Sequence, residues 1–157
     1  MRRIRTADPR RKDVRAQGRE SVIAVSGRSH PLRRTDAVRA ALTVLDAERR
    51  VAMISISFVG RDSMRTLHRR WKGTHSPTDV LAFPLSGPND SLVGDVYICP
   101  WQAVRHARAL GIPLRRELTR LVIHGVLHVL GYDHPGNAGR TESPMWRRQE
   151  RYLRGLR

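Results

Sequence analysis

The segment from Leu121 to Leu130 is apolar on almost every side, yet it contains two histidines. A helix that is hydrophobic all round is normally buried, so this segment is predicted to be the central helix of the fold. His124 and His128 are four residues apart and therefore lie on the same face of that helix. The fold must accordingly supply polar partners for two imidazoles in its interior.

A third histidine follows shortly after this helix. Gly131 permits the left-handed backbone conformation with which many helices end, so the chain can turn back and bring His134 toward the first two rings. Buried imidazoles without partners cost about 1–3 kcal/mol each, whereas a single metal ion would satisfy all three. One zinc ion is expected, because imidazole suits zinc and no cysteine cluster or extra carboxylate favours another metal.

Three protein ligands leave one coordination position for water, which is typical of catalytic zinc sites. The pattern therefore predicts a metal-dependent hydrolase. Asp133 is predicted either to orient a metal ligand through a hydrogen bond or simply to cap the turn. The peptidase motif HExxH has its general-base glutamate where this chain has Gly125. Glu117, two helical turns before His124, could replace that base or, more simply, pair with a neighbouring arginine.

The chain carries a formal net charge of +16, from 30 Lys and Arg against 14 Asp and Glu. Such a charge attracts polyanions, so nucleic acid is the favoured partner and an anionic membrane surface the alternative. A general bias toward arginine is a further explanation, since Lys12 and Lys72 are the only lysines.

Cellular location is constrained by one cysteine and by the lengths of the apolar runs. Cys99 has no second cysteine with which to form an internal disulfide, which fits the reducing cytoplasm. No apolar run reaches the roughly 18 residues of a membrane span. The N-terminal region also lacks the roughly 7–15-residue apolar core of a secretion signal. We therefore expect a cytoplasmic protein that is neither inserted in a membrane nor exported.

Residues 1–20 contain eight Lys or Arg and very few apolar side chains. Such a composition cannot offset the entropy of ordering, so this segment is predicted to be a flexible basic arm, with or without a role in RNA contact. Residues 21–157 are predicted to form a single metal-dependent hydrolase domain.

Apolar periodicity and turn residues predict the elements of that domain. Strands are predicted at 21–26, 51–59, 79–85 and 92–99, the last two forming a hairpin. Helices are predicted at 35–50, after an Asp62 N-cap, at 100–110, from Pro113 through the histidine segment, and from Thr141 onward.

The full spacing HGxLHxxGYDH, from His124 to His134, closely resembles the YbeY family of bacterial endoribonucleases, which act in ribosomal RNA maturation. The likeness runs from about Val51 to Leu156. The other similar segments are RREL at Arg115–Leu118, SPTDVLAFP at Ser76–Pro84, GDVYIC at Gly94–Cys99, and Met145 with Gln149-Glu150.

The resemblance implies an α+β fold in which a small mixed β-sheet of about four strands packs against helices. A central buried helix would carry the zinc ligands, with His134 completing the set. The resemblance also implies a single-strand-specific, zinc-dependent endoribonuclease that acts in 16S rRNA 3′-end maturation and in ribosome biogenesis or quality control. Its implied partners are single-stranded RNA, ribosomal RNA and the small ribosomal subunit.

One departure from the family concerns Trp71-Lys72, which stands where the family usually has Tyr-Arg. Lys72 keeps the positive charge but presents a point charge instead of a bidentate fork. We expect Lys72 to support the substrate phosphate, a role that Arg69 and Arg70 could share. Two other functions remain open: a zinc metallopeptidase, and a ribosome-associated RNA-binding protein whose zinc is structural.

Overall fold

The computed structural model describes residues 20–73, 78–136 and 138–156, so the predicted arm lies outside it except for Glu20. The strands are β1 Val22–Gly27, β2 Ala52–Phe58, β3 Val80–Ser86 and β4 Leu92–Ile98. The helices are α1 Arg34–Ala47, α2 Arg61–Lys72, α3 Pro100–Leu110, α4 Leu114–Val129 and α5 Pro144–Gly155, with short 3₁₀ segments at Pro88–Asp90 and Ala138–Glu142. None of the helices in this part of the chain is long and apolar enough to cross a membrane.

The four strands form one mixed sheet in the order β1-β2-β4-β3. β1 runs parallel to β2 and β2 parallel to β4, whereas β3 is antiparallel to β4. Val96 on β4 pairs with Ile56 on one side and with Ala82 on the other. The predicted α+β class, the four-stranded mixed sheet and the hairpin are confirmed.

The two faces of the sheet are covered unequally, as the side chains of β2 show. Ile54 and Ile56 are almost fully buried, whereas Met53 between the strand's inward positions is 53% exposed. The inward side chains join the main core with α1, α4 and α5. The opposite face carries a smaller cluster under α2, built around Met64 and Leu81. The larger core is therefore the one that surrounds α4.

α4 is the centre of the fold, since it packs against β3, β4, α1, α3 and α5. Two glycines allow its close approach to β4. A Cβ atom on Gly94 would lie 2.4 Å from a methyl carbon of Val129, and one on Gly125 would lie 2.4 Å from a methyl carbon of Val96. The helix thus rests almost directly on the strand, as expected for a central buried helix.

Two helix boundaries near the start of the chain differ from the predictions. α1 ends at Ala47 instead of Arg50, because Arg49 has a positive φ of 54° that cannot continue a helix. The N-cap of α2 is Gly60 instead of Asp62, which lies within the first turn. An acidic side chain there still interacts favourably with the helix dipole.

The boundaries around the histidine helix and the last helix also differ. Pro113 is the N-cap of α4 and not its first residue. The last helix begins at Pro144 instead of Thr141, because the hydroxyl of Ser143 accepts a hydrogen bond from the backbone N–H of Trp146 at 3.1 Å. A serine cap followed by proline is a common helix start, and here it overrides the amphipathic pattern upstream.

Candidate metal centre

Helix α4 places two imidazoles next to each other on one face. His124 is only 4% exposed and His128 is partly buried, and their ring centroids are 4.6 Å apart. Gly125 lies between them in sequence and faces Val96, where even one added carbon would be too close. The position therefore has no room for the glutamate of the HExxH motif, and the helix supplies ligands without that base.

The turn after α4 brings the third imidazole to the first two. Gly131 adopts a φ of 95°, which reverses the chain. The backbone N–H of His134 donates to Asp133 Oδ1 at 2.8 Å. Tyr132 donates its hydroxyl hydrogen to Glu48 Oε2 at 2.7 Å, which ties the turn to the end of α1. Asp133 thus contacts the backbone of the third candidate ligand, and its role at the site stays a prediction.

The three histidines converge through their Nε2 atoms. The Nε2 of His124 lies 3.0 Å from that of His128 and 3.3 Å from that of His134. One ligand atom from each ring can be chosen so that all lie within 4.8 Å of one another. Tetrahedral zinc with bonds of about 2.0–2.1 Å separates its ligand atoms by roughly 3.3–3.4 Å. Two of the three separations are close to this value, so the trio can hold a metal ion.

Hydrogen bonds on the far sides of two rings decide where the imidazole protons are. His124 donates from Nδ1 to Gln149 Oε1 at 2.6 Å, and His134 donates from Nδ1 to the carbonyl oxygen of Pro135 at 3.0 Å. Each neutral ring then has a lone pair on Nε2. Lone pairs that face each other this closely repel unless they share a cation. The donor set therefore fits a bound metal ion.

Burial keeps the two helix histidines in the form that binds metal. Burial, and then the neighbouring His128, lower the pKa of His124 to about 4. Burial, followed by the charge of His134, also lowers the pKa of His128. Neutral imidazole is the metal-binding form, so at pH 7 His124 needs to lose no proton before it coordinates.

Gln149 is a functional residue whose role the sequence reasoning missed. Its side chain is 1% exposed, and its Nε2 donates to Glu150 Oε1 at 3.2 Å, which turns Oε1 toward His124. The signal was a polar residue at an inward position of an amphipathic helix. Gln149 and its partner His124 are 25 residues apart in the chain, so no local sequence pattern indicates the contact.

Glu117 pairs with an arginine, as the simpler of its two predicted roles required. Arg120 Nη1 donates to Glu117 Oε2 at 2.5 Å, and Arg120 Nε donates to Glu150 Oε1 at 3.0 Å. Glu117 is 3% exposed, and this burial raises its pKa in spite of the arginine. Its carboxylate is thus committed to a salt bridge inside the protein.

Lys72 lies within electrostatic range of the turn that follows α4. The pKa of Asp133 is lowered, chiefly by the hydrogen bond from the backbone of His134, and the charge of Lys72 contributes to the same shift. Lys72 is exposed at the end of α2, and the neighbouring Trp71 packs its ring against Phe83 at 5.4 Å between centroids. A cation is therefore present near the loop that holds the third ligand.

The fold and the three converging imidazoles define a class: α+β proteins with a candidate three-histidine metal site. Within that class, this chain belongs to the family described as Endoribonuclease YbeY, whose family model matches residues 25–157. The resemblance predicted from the motifs is confirmed.

Individual relatives agree with this assignment. The chain is 40% identical over 111 residues to Endoribonuclease YbeY of Bifidobacterium animalis subsp. lactis, covering 66% of this chain and 56% of that protein. It is 43% identical over 95 residues to Endoribonuclease YbeY of Saccharopolyspora erythraea, covering 54% and 52%. The chain thus spans about half the length of these curated relatives.

A solved structure also matches the fold. A protein from Thermotoga maritima, known from a solution structure, superposes with a TM-score of 0.59 at 25% sequence identity. The match covers 86% of this chain and 89% of the other. The arrangement of sheet and helices is therefore shared by a protein of distant sequence.

Proposed function

We propose that this protein is a zinc-dependent endoribonuclease that cuts single-stranded RNA. The observation that carries the proposal is the convergence of three Nε2 atoms, two of which have their ring protons held on the opposite nitrogen. A formal net charge of +16 supports a polyanionic substrate. The relatives named Endoribonuclease YbeY support RNA as that polyanion.

We propose that the RNA is the 3′ end of 16S ribosomal RNA, bound on the small ribosomal subunit in the cytoplasm during ribosome biogenesis or quality control. The motifs' resemblance to a family that acts in ribosomal RNA maturation supports this substrate. Residues 1–20 carry eight Lys or Arg against three Asp or Glu, a net positive charge that suits such a large RNA surface.

Each part of the site has a task in hydrolysis. His124, His128 and His134 would hold the zinc ion, and Gln149 keeps the first ring in the binding tautomer. When bound there, a zinc ion would supply Lewis acidity for hydrolysis of a phosphodiester. Lys72 provides positive charge for the phosphate, and Asp133 holds the backbone of the third ligand in place.

The direct test compares three substrates with and without a chelator. Purified protein is incubated with single-stranded RNA, with a duplex of the same sequence, and with an unfolded protein. We expect internal cuts in the single strand alone, abolished by the chelator and restored by zinc. His128→Ala should be inactive, whereas His30→Ala, which changes an exposed histidine outside the trio, should remain active.

The other functions give different results in the same experiment. Digestion of the unfolded protein in place of RNA would identify a peptidase. RNA binding without cleavage by the wild type, and by a folded His128→Ala variant alike, would indicate a structural zinc. The substrate within the ribosome is tested separately with small subunits that carry an unprocessed 16S 3′ end, where trimming by the wild type and not by His128→Ala is expected.

A further inference from the structure

A cavity of about 340 Å³ opens beside the metal ligands. Its wall includes His124, Gln149 and Arg140, the last from the second 3₁₀ segment. Cavities of this size are at the lower end of the range for ligand sites, about 300–1,000 Å³. A ligand in the cavity would therefore be next to the first of the three histidines.

One hydrogen-bond donor of Arg140, its Nε–H group, is unusual among the groups that line this cavity. Its Nε is buried and has no hydrogen-bond partner in the part of the chain that the structure describes. A buried donor without a partner costs about 1–3 kcal/mol. Such a donor is completed by a water, an ion or a ligand from outside the chain, so Arg140 can donate to a group that enters the cavity.

Two of the carboxylates beside the cavity are already paired with an arginine, and a third lies next to a histidine. Arg120 binds both Glu117 and Glu150, and Asp79 lies 3.5 Å from the Nδ1 atom of His106. Between residues 20 and 156, leaving aside the stretches not described, Arg140 has no salt bridge. Its positive charge is therefore available to an anion from outside the protein.

Arg140 is also held in position beside the cavity that His124 lines. The hydroxyl of Ser143 donates to the carbonyl oxygen of Arg140 at 2.7 Å, which fixes the backbone from which the side chain extends. Arg140 and His124 line the same cavity, so an anion bound by the guanidinium would lie close to the first of the three histidines.

We infer that Arg140 binds a backbone phosphate of the RNA strand at the metal site. A guanidinium presents parallel N–H donors that match two phosphate oxygens. The ammonium of Lys72 cannot form such a bidentate contact. Arg140 then supplies it from the second 3₁₀ segment, which follows the third histidine in the chain. This inference rests on the proposed RNA cleavage and assigns one residue of its substrate site.

The test uses Arg140→Ala and Arg140→Lys, with Arg147→Ala as the matched control because it removes an exposed arginine that does not line the cavity. The zinc-loaded proteins are titrated with inorganic phosphate and assayed on single-stranded RNA. We expect Arg140→Ala to weaken phosphate binding and to lower kcat/KM by about 10–100-fold, the usual loss for a hydrogen bond to a charged group. Arg147→Ala should stay within about twofold.

Two further measurements separate phosphate binding from a structural role. Zinc content and the unfolding midpoint should be unchanged in Arg140→Lys, which should recover only part of the activity because it restores the charge but not the fork. Added guanidinium ion should increase the activity of Arg140→Ala and leave Arg147→Ala unaffected. If Arg140→Ala fails to fold, Arg140→Lys takes its place. A phosphate affinity below that of the wild type would then support the role of Arg140, and an equal affinity would overturn it.

The outcomes distinguish this inference from the proposed function. Equal phosphate affinity and equal kcat/KM in Arg140→Ala and Arg147→Ala would overturn the role of Arg140 while leaving RNA cleavage intact. A wild-type protein that cuts no RNA would contradict the proposed function. In that case, phosphate binding that is lost in Arg140→Ala would still support the anion site, and binding that persists would overturn it.

Discussion

Helix α4 and the turn that follows it, residues 130–136, supply ligands to the same site by different physical means. His124 is held by the main core, where it is 4% exposed among apolar side chains. His134 sits on a turn held by polar contacts, including the bond from Tyr132 to Glu48. Changes in the core should therefore affect both folding and metal binding, whereas changes in the turn should affect mainly the metal.

The largest expected effect is the loss of either kind of ligand. His124→Ala and His134→Ala should each weaken zinc binding by more than about 100-fold, beyond the usual 10–100-fold loss for an outer hydrogen-bond partner. Zinc content after dialysis against a chelator measures this. His106→Ala should keep its zinc. Retention of zinc by His134→Ala would show that the turn is not part of the site.

The hydrogen bond behind the helix ligand gives the next effect. Gln149→Leu should weaken zinc binding by about 10–100-fold, because His124 loses the acceptor that keeps its proton on Nδ1. Gln149→Glu should retain affinity, since a carboxylate also accepts that proton's hydrogen bond. Chelator competition gives the affinities, with Gln102→Leu on α3 as control. Identical curves for Gln149→Leu and wild type would show that the contact does not tune the ligand.

Alanine substitutions at one glycine of α4 and one glycine of the turn test how tightly each region is packed. Gly125→Ala should lower the free energy of unfolding by about 1–3 kcal/mol, because its new carbon would lie 2.4 Å from a methyl carbon of Val96. Gly136→Ala meets nothing within 4 Å and should change stability by less than about 0.5 kcal/mol. Urea denaturation measures both. Adding Val96→Ala to Gly125→Ala should recover part of the loss, and its failure to do so would place the strain elsewhere.

The smallest effect concerns the carboxylate that anchors the turn. Burial alone would raise the pKa of Glu48, but hydrogen bonds from Tyr152 and Tyr132 and the charge of Arg148 outweigh it, so the pKa is lowered from 4.5. Such a group stabilises the fold above its unfolded pKa, and this contribution is lost as the pH falls through the folded value. Glu48→Gln should cost about 1 kcal/mol at pH 7 and less at low pH.

Urea midpoints of Glu48→Gln and wild type between pH 7 and pH 3 check this dependence. The difference between the two proteins should shrink below about pH 4.5, where the wild type loses its advantage. Asp46→Asn, an exposed change on the same helix, should follow the wild type throughout. A difference that stays constant with pH would mean that the charge on Glu48 is not what anchors the turn.

The difference between local and long-range contacts explains which features of the site could be predicted from the sequence. The apolar segment around His124 and His128 predicted a central helix, because spacing along a helix fixes which side chains share a face. Gly131 likewise predicted the turn that returns His134. These features depend on residues within eleven positions of one another, which local geometry can relate.

The parts that sequence could not predict depend on contacts across the fold. Gln149 meets His124 only because α5 packs on α4, and no spacing rule connects residues that far apart. Arg140 became a candidate only when its buried Nε was seen beside the cavity. The start of α5 was misplaced because the serine cap at Ser143 stopped a pattern that apolar periodicity alone would have continued.

X-ray absorption at the zinc edge of the purified protein tests most directly whether three imidazoles share one ion. The expected spectrum shows three imidazole nitrogens and one oxygen from water at about 2.0–2.1 Å, with one zinc per chain. A fourth protein ligand, or a chain that retains no zinc, would contradict the open three-histidine centre on which the proposed hydrolysis depends.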